Sequence, residues 1–347
     1  MSYEHEFEIA CIAVQRACLL TQAVFKDNAK GTQSKADDSP VTVGDLGAQA
    51  IIIAAIHHVF PHDEIVGEED ASSLREDNDL ANRVWELVQR SCSQDESNDR
   101  DVGTIEDRQA MLNALDAGKS AGGPTGRLWT IDPIDGTKGF LRGGQYAVCV
   151  ALIVDGEVEV GVLGCPNLPV DKSASLDMTT TNVDRGILIA SQRNLGAHIR
   201  VLGKGEQGTA AVVRMRQVSD IKEATFCESV EAGHSSHGDQ AAIAETLGIV
   251  KDSVRMDSQA KYASIARGAG DIYLRLPVRK DYEEKIWDHA AGDLIVREAG
   301  GEVTDINGKR LDFSQGRTLR ANKGVVAAST PIFRTVLEAV KEVLGKN

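Results

Sequence analysis

Apolar residues recur at helical spacing along much of the chain. From Phe7 to Cys18 they return every three to four positions, which predicts a long amphipathic helix over residues 4–27. A second helix, rich in Ile and Ala, is predicted over residues 45–59. Further helical patterns cover residues 79–92, 104–117, 239–248, 288–299 and 331–345. Helices are therefore expected along the whole length of the chain.

Strand patterns separate these helices. Two β-runs, 145–154 and 157–164, meet at Asp155-Gly156, which is typical of a hairpin turn. Other predicted strands lie at residues 63–70, 127–131, 186–190, 212–218 and 271–276. Beyond about residue 170 short strands alternate with helices, which favours an α/β arrangement. We expect an N-terminal α+β domain over residues 1–175 and a C-terminal α/β domain over residues 176–347.

Composition and charge restrict the partners. The 347-residue chain has 42% hydrophobic residues and a formal net charge of −14. That field repels nucleic acid, and no Lys/Arg run counters it, so no nucleic-acid partner is expected. An anionic small molecule would need local positive charge, for which metal ions are the obvious source.

The cysteines and the apolar segments favour a location in the cytoplasm. The six cysteines form no CxxC pair, as expected for reduced core thiols. The N-terminus begins with acids rather than basic residues, and the apolar run Ala50–Ile56 is too short to span a bilayer. We expect a cytoplasmic protein with access to the nucleus and no membrane partner; a monomer is the default expectation.

Acidic residues stand at the ends of predicted elements. Asp45 opens a helix, Glu68 begins an acidic group that closes a strand, and Asp288 starts a helical run. Such ends gather at one edge of a sheet and can share a cleft. Taken singly, Asp45 and Asp288 are also read as helix N-caps, and Glu68–Asp70 as a solvated loop.

The pair Asp132 and Asp135 in "IDPIDGTKGF" is more informative. Pro133 restricts its own backbone and that of the preceding residue, so two carboxylates are held close together. They repel each other unless a cation lies between them. Carboxylates with a backbone carbonyl and waters are the ligands that Mg²⁺ prefers. Gly136 and Thr137 add amides and a hydroxyl in a turn that suits phosphate.

Three motifs in a fixed order carry a resemblance to a known family. "GEE" at 67–69, "DPIDGT" at 132–137 and "WDHAAG" at 287–292 resemble the magnesium-dependent, lithium-sensitive phosphatases related to inositol monophosphatase. The resemblance covers nearly the whole chain. It implies an α+β or α/β fold, a layered α-β-α-β-α sandwich of the inositol monophosphatase and fructose-1,6-bisphosphatase type.

Finer motifs resemble one branch, the 3′(2′),5′-bisphosphate nucleotidases. They are "SPVTVGDLGAQA", "DPIDGTKGFLRGGQYAV", "GCPNLP", "HSSH", "DSQAKY", "YLRLP" and "EKIWDHAAGDLIVREAGG". That branch hydrolyses the 3′-phosphate of adenosine 3′,5′-bisphosphate, a by-product of sulfate activation and sulfotransfer. Its sulfated relative and 2′,5′ isomers are further candidate substrates.

The resemblance assigns roles to particular residues. It implies two or three Mg²⁺ ions held by Glu68, Asp132, Asp135, Asp288 and the carbonyl of Ile134. It implies that Asp45 and Thr137 form the pair that activates the attacking water. It implies substrate contacts from Thr137, His234, Ser258, Lys261, Arg275 and Asp288. His237 is the alternative to His234 within "HSSH", and solvated surface charge is the alternative for Lys261 and Arg275.

Two other functions are compatible with these motifs. An inositol polyphosphate 1-phosphatase would share the metal motifs and differ in the C-terminal pocket, where "HSSH" and "DSQAKY" favour the nucleotide. A non-catalytic nucleotide sensor would use the same fold, but it has no chemical need for all six of Asp45, Glu68, Asp132, Asp135, Thr137 and Asp288. The sequence leaves the ranking of the nucleotide against inositol 1,4-bisphosphate to experiment.

Overall fold

The computed structural model describes residues 2–26, 32–34, 40–93, 102–176, 178–180, 182–203, 210–231, 233, 235–279 and 281–345. The helices are α1 Glu4–Lys26, α2 Val43–Val59, α3 Ser72–Glu76, α4 Asn78–Ser93, α5 Arg108–Ala117, α6 Thr137–Arg142, α7 His237–Leu247, α8 Ala260–Ala266, α9 Ala290–Glu298 and α10 Thr330–Leu344. The strands are β1 Thr32–Ser34, β2 Pro40–Thr42, β3 Glu64–Gly67, β4 Arg127–Asp135, β5 Ala147–Val154, β6 Glu157–Pro169, β7 Arg185–Gln192, β8 Ala197–Val201, β9 Ala211–Val213, β10 Phe226–Glu228, β11 Val254–Arg255, β12 Ile272–Arg275, β13 Gly301–Thr304 and β14 Val325–Ser329.

A seven-stranded sheet runs in the order β3-β4-β5-β6-β7-β8-β9. Its first pair, β3 and β4, is parallel, and the other neighbours are antiparallel. The predicted hairpin is confirmed, because Val154 pairs with Glu157 across the two-residue turn Asp155-Gly156. Both turn residues have positive φ, 49° and 82°, as a two-residue hairpin requires.

A second sheet of five strands has the order β11-β10-β12-β14-β13. It combines parallel pairs, β10 with β11 and β12, with antiparallel pairs on β14. The strand predicted over residues 212–218 is shorter than expected, since β9 ends at Val213. Beyond that point the backbone turns away, and the amide of Met215 donates to the carbonyl of Ala299.

Three clusters of buried apolar side chains pack between five layers of helices and sheets. Alternate β5 residues face opposite sides: Val148 and Val150 join the cluster under α1 and α2, while Cys149 joins the cluster under α8 and α9. The second cluster reaches across α8 and α9 to the inner face of the five-stranded sheet. The third packs α7 and α10 on that sheet's outer face. The predicted α-β-α-β-α sandwich is confirmed.

The sheet topology bears on the predicted domain division. Strands β7–β9, residues 185–213, extend the seven-stranded sheet, although the division at 175/176 assigned them to the C-terminal part. We propose that the boundary lies beyond Val213. The six cysteines all lie in described residues and form no disulfide there; Cys92 is half-buried and the other five are buried.

Helix α1 is more apolar than the sequence analysis recognised. By length and composition its segment Glu4–Phe25 could cross a membrane, unlike Ala50–Ile56. Yet 56% of its most apolar stretch is buried inside the fold. There it packs against α2 and β6, which accounts for its apolar side chains.

Candidate active site

Three aspartates meet at one end of the seven-stranded sheet. Carboxylate oxygens of Asp132, Asp135 and Asp288 lie within 4.8 Å of one another. In a regular strand, residues three apart point to opposite faces. A β-bulge in β4 interrupts the pairing with β5 between Asp132 and Asp135, so both side chains line the same cleft. Asp288 reaches this cleft from the 3₁₀ turn that precedes α9.

Glu68 arrives from the neighbouring strand. Because β3 runs parallel to β4, Gly67 pairs with Ile131, and the amide of Glu68 donates to the Ile131 carbonyl at 3.2 Å. The next residue, Glu69, is held by Gln49 of α2. The Gln49 side chain accepts from the Glu69 amide at 2.9 Å and donates to the Glu69 carbonyl at 2.7 Å. The acidic loop is therefore tied to both β4 and α2.

Crowding of these acids shifts their protonation. Burial, followed by the charges of Glu68 and Asp135, raises the pKa of Asp132 well above its usual value. Burial and the charge of Asp135 likewise raise the pKa of Asp288. Burial raises the pKa of Asp135 to about 6, although Lys261 opposes the shift. The cluster thus favours bound protons or bound cations over bare carboxylates.

The side chains present fit a divalent cation. Asp132 is 2% exposed, and its Oδ1 has no hydrogen-bond partner within the described part of the chain. A buried carboxylate oxygen without a hydrogen-bond partner destabilises the fold, and a bound cation would satisfy it. The donors are all carboxylate oxygens, which bind hard cations such as Mg²⁺ and Mn²⁺ in preference to softer metals.

Asp45 and Thr137, the predicted water-activating pair, lie beside this cluster. Asp45 is buried in the first turn of α2, and its charge contributes to the raised pKa of Asp132. The Thr137 hydroxyl lines the cleft and donates to the carbonyl of Ile134 at 3.2 Å. The role of this pair in activating the attacking water stays a prediction.

The turn between β4 and α6 depends on Gly136. Its φ of +86° lies in the left-handed region, and a Cβ there would approach the Cβ of Ser258 to 3.0 Å. Ser258 itself has a φ of +69°. Glycine adopts this conformation without strain, whereas Ser258 does not. A strained serine therefore lies where the "DPIDGT" turn contacts the C-terminal half, and such strain is common at functional sites.

The two predicted cationic substrate contacts both line the cleft. Lys261 is 3% exposed, and burial lowers its pKa to about 8. Arg275 Nε donates to Glu284 at 3.0 Å. Burial alone would raise the pKa of Glu284, but Arg275 and His289 lower it to about 2. The reading of Lys261 as a solvated surface charge is wrong, because its side chain is enclosed.

The histidine prediction has a divided outcome. His234 lies outside the described residues. The alternative, His237, begins α7, and its Nε2 is 3.1 Å from the carbonyl of Ser229. His237 does not line the cleft that the described residues form.

Gln259 is a site residue that the sequence analysis missed. Its amide donates to Asp135 Oδ2 at 2.5 Å. Its side chain donates to the carbonyl of Trp287 at 2.7 Å and accepts from the Gly292 amide at 3.0 Å. It thus ties Asp135 to the turn that carries Asp288. Its place within "DSQAKY", between Ser258 and Lys261, was the only available signal.

The cleft has the size and charge for a small anionic ligand. Its volume is about 370 Å³, within the range of small-molecule sites. Four basic residues share its lining with the acids: Lys138, Lys261, Arg275 and Lys285. Tyr282, which is 43% exposed, adds an aromatic ring to the wall. A cleft lined by both carboxylates and basic side chains suits a phosphorylated ligand together with a cation.

A layered sandwich with these convergent carboxylates defines a family. The family model described as "Inositol monophosphatase family" matches residues 2–344, and the chain belongs to this family. Among solved structures, the Thermotoga maritima IMPase aligns with a TM-score of 0.62 and 20% identity over 99% of both chains. At that identity the likeness supports the fold alone.

Relatives that are more similar in sequence carry a more specific name. A protein of Emericella nidulans named 3′(2′),5′-bisphosphate nucleotidase is 60% identical over 350 residues, covering 99% of each chain. A Schizosaccharomyces pombe protein of the same name is 49% identical, covering 100% of this chain and 98% of its own. Both agree with the branch indicated by the sequence motifs.

Proposed function

We propose that this chain is a magnesium-dependent 3′(2′),5′-bisphosphate nucleotidase. It hydrolyses the 3′-phosphate of adenosine 3′,5′-bisphosphate and releases AMP and inorganic phosphate. The observation that carries the proposal is the meeting of Asp132, Asp135 and Asp288 within 4.8 Å in a basic-walled cleft. The names of relatives up to 60% identical supply the substrate class.

In this proposal Glu68, Asp132, Asp135 and Asp288, with the carbonyl of Ile134, hold two or three Mg²⁺ ions. The oxygen-only donor set and the partnerless Oδ1 of Asp132 support this role within the described residues. When bound, such cations neutralise phosphate charge and lower the pKa of a coordinated water.

Asp45 and Thr137 act on the attacking water. The Asp45 carboxylate, buried beside Asp132, accepts a hydrogen bond from the Thr137 hydroxyl, and that hydroxyl draws a proton from the water. The proton passes through Thr137 to Asp45. The water oxygen forms a bond to phosphorus while the bond to the 3′-oxygen breaks, and that oxygen takes up a proton from solvent water. The products are therefore an alcohol and a phosphate, with one water consumed.

Substrate contacts come from the C-terminal half. Lys261 and Arg275 hold the 5′-phosphate, and the Arg275 fork can grip two oxygens at once. Ser258, His234 and Asp288 complete the contacts to the nucleotide. The enclosure of Lys261 and the ion pair between Arg275 and Glu284 support this reading, because each group is already held in place.

Phosphate release tests the proposal. Purified protein is given adenosine 3′,5′-bisphosphate, its 5′-phosphosulfate relative, the 2′,5′ isomer or inositol 1,4-bisphosphate, each with and without Mg²⁺. We expect Mg²⁺-dependent release of AMP from the first substrate and inhibition by lithium. Preference for inositol 1,4-bisphosphate would instead assign an inositol polyphosphate 1-phosphatase, and binding without turnover would assign a nucleotide sensor.

We further infer a monomeric, cytoplasmic enzyme with access to the nucleus. The acidic surface and the burial of α1 in the core support this inference. Size-exclusion chromatography with light scattering checks the monomer, and a fluorescent fusion checks the compartment.

A further inference from the structure

Glu68 and Asp288 belong to opposite halves of the molecule, yet both must face the same cations. Glu68 follows β3 of the seven-stranded sheet, whereas Asp288 precedes α9 in the C-terminal half. Their separation therefore depends on contacts between the halves. Arg317, which no sequence motif singled out, lies between them.

One side of Arg317 is fixed to the Asp288 turn. Its carbonyl accepts from the amide of Ile286 at 3.2 Å, and the following residue, Thr318, bridges to Lys285. Its guanidinium lies over the ring of Trp287, with Cζ 4.9 Å from the ring centre. Trp287 immediately precedes Asp288.

The other side of Arg317 reaches the Glu68 loop. Nη2 donates to the carbonyl of Gly67, the residue before Glu68, at 2.6 Å. Nη1 donates to the carbonyl of Ser120 at 2.9 Å. These donors go to backbone carbonyls, so the guanidinium fixes the loop while adding positive charge near Glu68. Burial lowers the pKa of Arg317, and the charges of Asp70 and Glu68 oppose that shift.

We propose that Arg317 is a positioning residue that sets Glu68 and Asp288 at the spacing required for divalent-cation binding. This inference rests on the proposed metal-dependent function. A planar fork is needed, because it donates in two directions while stacking on an aromatic ring, and a lysine ammonium cannot do all three. Arg317 itself touches neither substrate nor the reacting phosphate in this account.

The test measures metal binding without substrate or turnover. Mn²⁺ is titrated into the full-length protein, and free Mn²⁺ is read by electron paramagnetic resonance. We expect Arg317→Met to raise the Mn²⁺ dissociation constant about tenfold or more, since at least one loop hydrogen bond is lost. Arg317→Lys, which keeps the charge, should also weaken binding. Once Mg²⁺ is saturating, KM for the nucleotide should change little.

Arg320→Met is the matched control, because Arg320 is exposed in the same loop and donates to Gln315 rather than to the Glu68 loop. It should bind Mn²⁺ like the unmodified protein. Unmodified affinity in Arg317→Met would overturn the proposal; if that variant does not fold, unmodified affinity in Arg317→Lys would do so. Absence of Mn²⁺ binding in the unmodified protein would instead contradict the proposed metal-dependent function.

Discussion

At the scale of single residues, the acidic cluster is electrostatically unstable by itself. Asp132 is enclosed, and burial together with Glu68 and Asp135 raises its pKa. The protein keeps these charges close although each destabilises its neighbours. In our account divalent cations offset that repulsion, so removal of one charge should affect activity and stability in opposite directions.

Replacement of Asp132 tests this. Asp132→Asn keeps the size of the side chain but removes a charged ligand, so kcat should fall at least about a hundredfold. In metal-free buffer the variant should be at least as stable as the unmodified protein. Enzyme assays and thermal unfolding measure the two effects. Asp252→Asn, at an exposed aspartate, is the control, and near-normal turnover in Asp132→Asn would refute the assigned role.

The same cluster predicts a pH dependence. The folded-state pKa of Asp135 is about 6, above its value of 3.8 in an unfolded chain. The folded protein therefore binds more protons in that interval, and stability without metal should fall as pH rises from about 4 to 6. Mg²⁺ should oppose the fall at the upper end. Melting temperatures in EDTA and in Mg²⁺ measure it; identical pH profiles would contradict cation binding at the cluster.

The motifs singled out Glu68, Asp132, Asp135 and Asp288, which all line the cleft, because the proposed chemistry lies in their own carboxylates. They did not predict Gln259 or Arg317. These two act through backbone amides and carbonyls, which every residue carries, so their partners leave no trace in the sequence. Such residues become visible only when the fold places the two segments side by side.

At the scale of elements, the turn from β4 into α6 is the feature on which the site depends. The bulge turns Asp132 and Asp135 to one side, and Gly136 reverses the chain into Thr137. The sequence indicated this turn, because Pro133 restricts the backbone and Gly136 allows it a positive φ. Helix α8 was missed because its seven residues are all buried, so no polar face alternates with an apolar one.

Gly136→Ala should disturb this turn specifically. Alanine at a φ of +86° costs roughly 1–2 kcal/mol, and its Cβ would also lie 3.0 Å from Ser258. We expect a loss of stability and a fall in kcat of about tenfold or more. Gly126→Ala is the matched control, since Gly126 has a φ of +88° with no heavy atom within 4 Å of the added Cβ. Equal kcat values for both variants would contradict the account.

At the scale of the whole molecule, ion pairs join the two halves beside the cleft, whose lining includes Asp257. Arg142 of α6 forms ion pairs with Glu231 and Asp257 of the C-terminal half. The Asp257 side chain is only 5% exposed. The order of the motifs predicted that both halves contribute to the site. It did not predict where the seven-stranded sheet ends, because no motif in β7–β9 assigns these strands to one sheet or the other.

Breaking this contact should loosen the two halves. Arg142→Met removes the ion-pair partner of the enclosed Asp257 carboxylate, which should lower the free energy of unfolding by about 1.5–3 kcal/mol. Adding Asp257→Asn should restore part of the loss. Urea unfolding measures both. Arg334→Met, whose side chain is 91% exposed, should have little effect; strictly additive losses for the Arg142 and Asp257 substitutions would contradict the pairing.

The most direct test of the central claim is diffraction from crystals grown with Mn²⁺, AMP and phosphate, with data collected at the manganese absorption edge. We predict anomalous peaks within bonding distance of Asp132, Asp135 and Asp288, beside the phosphate. Manganese bound elsewhere, with these three carboxylates free of metal, would contradict the claim that they form the catalytic cation site.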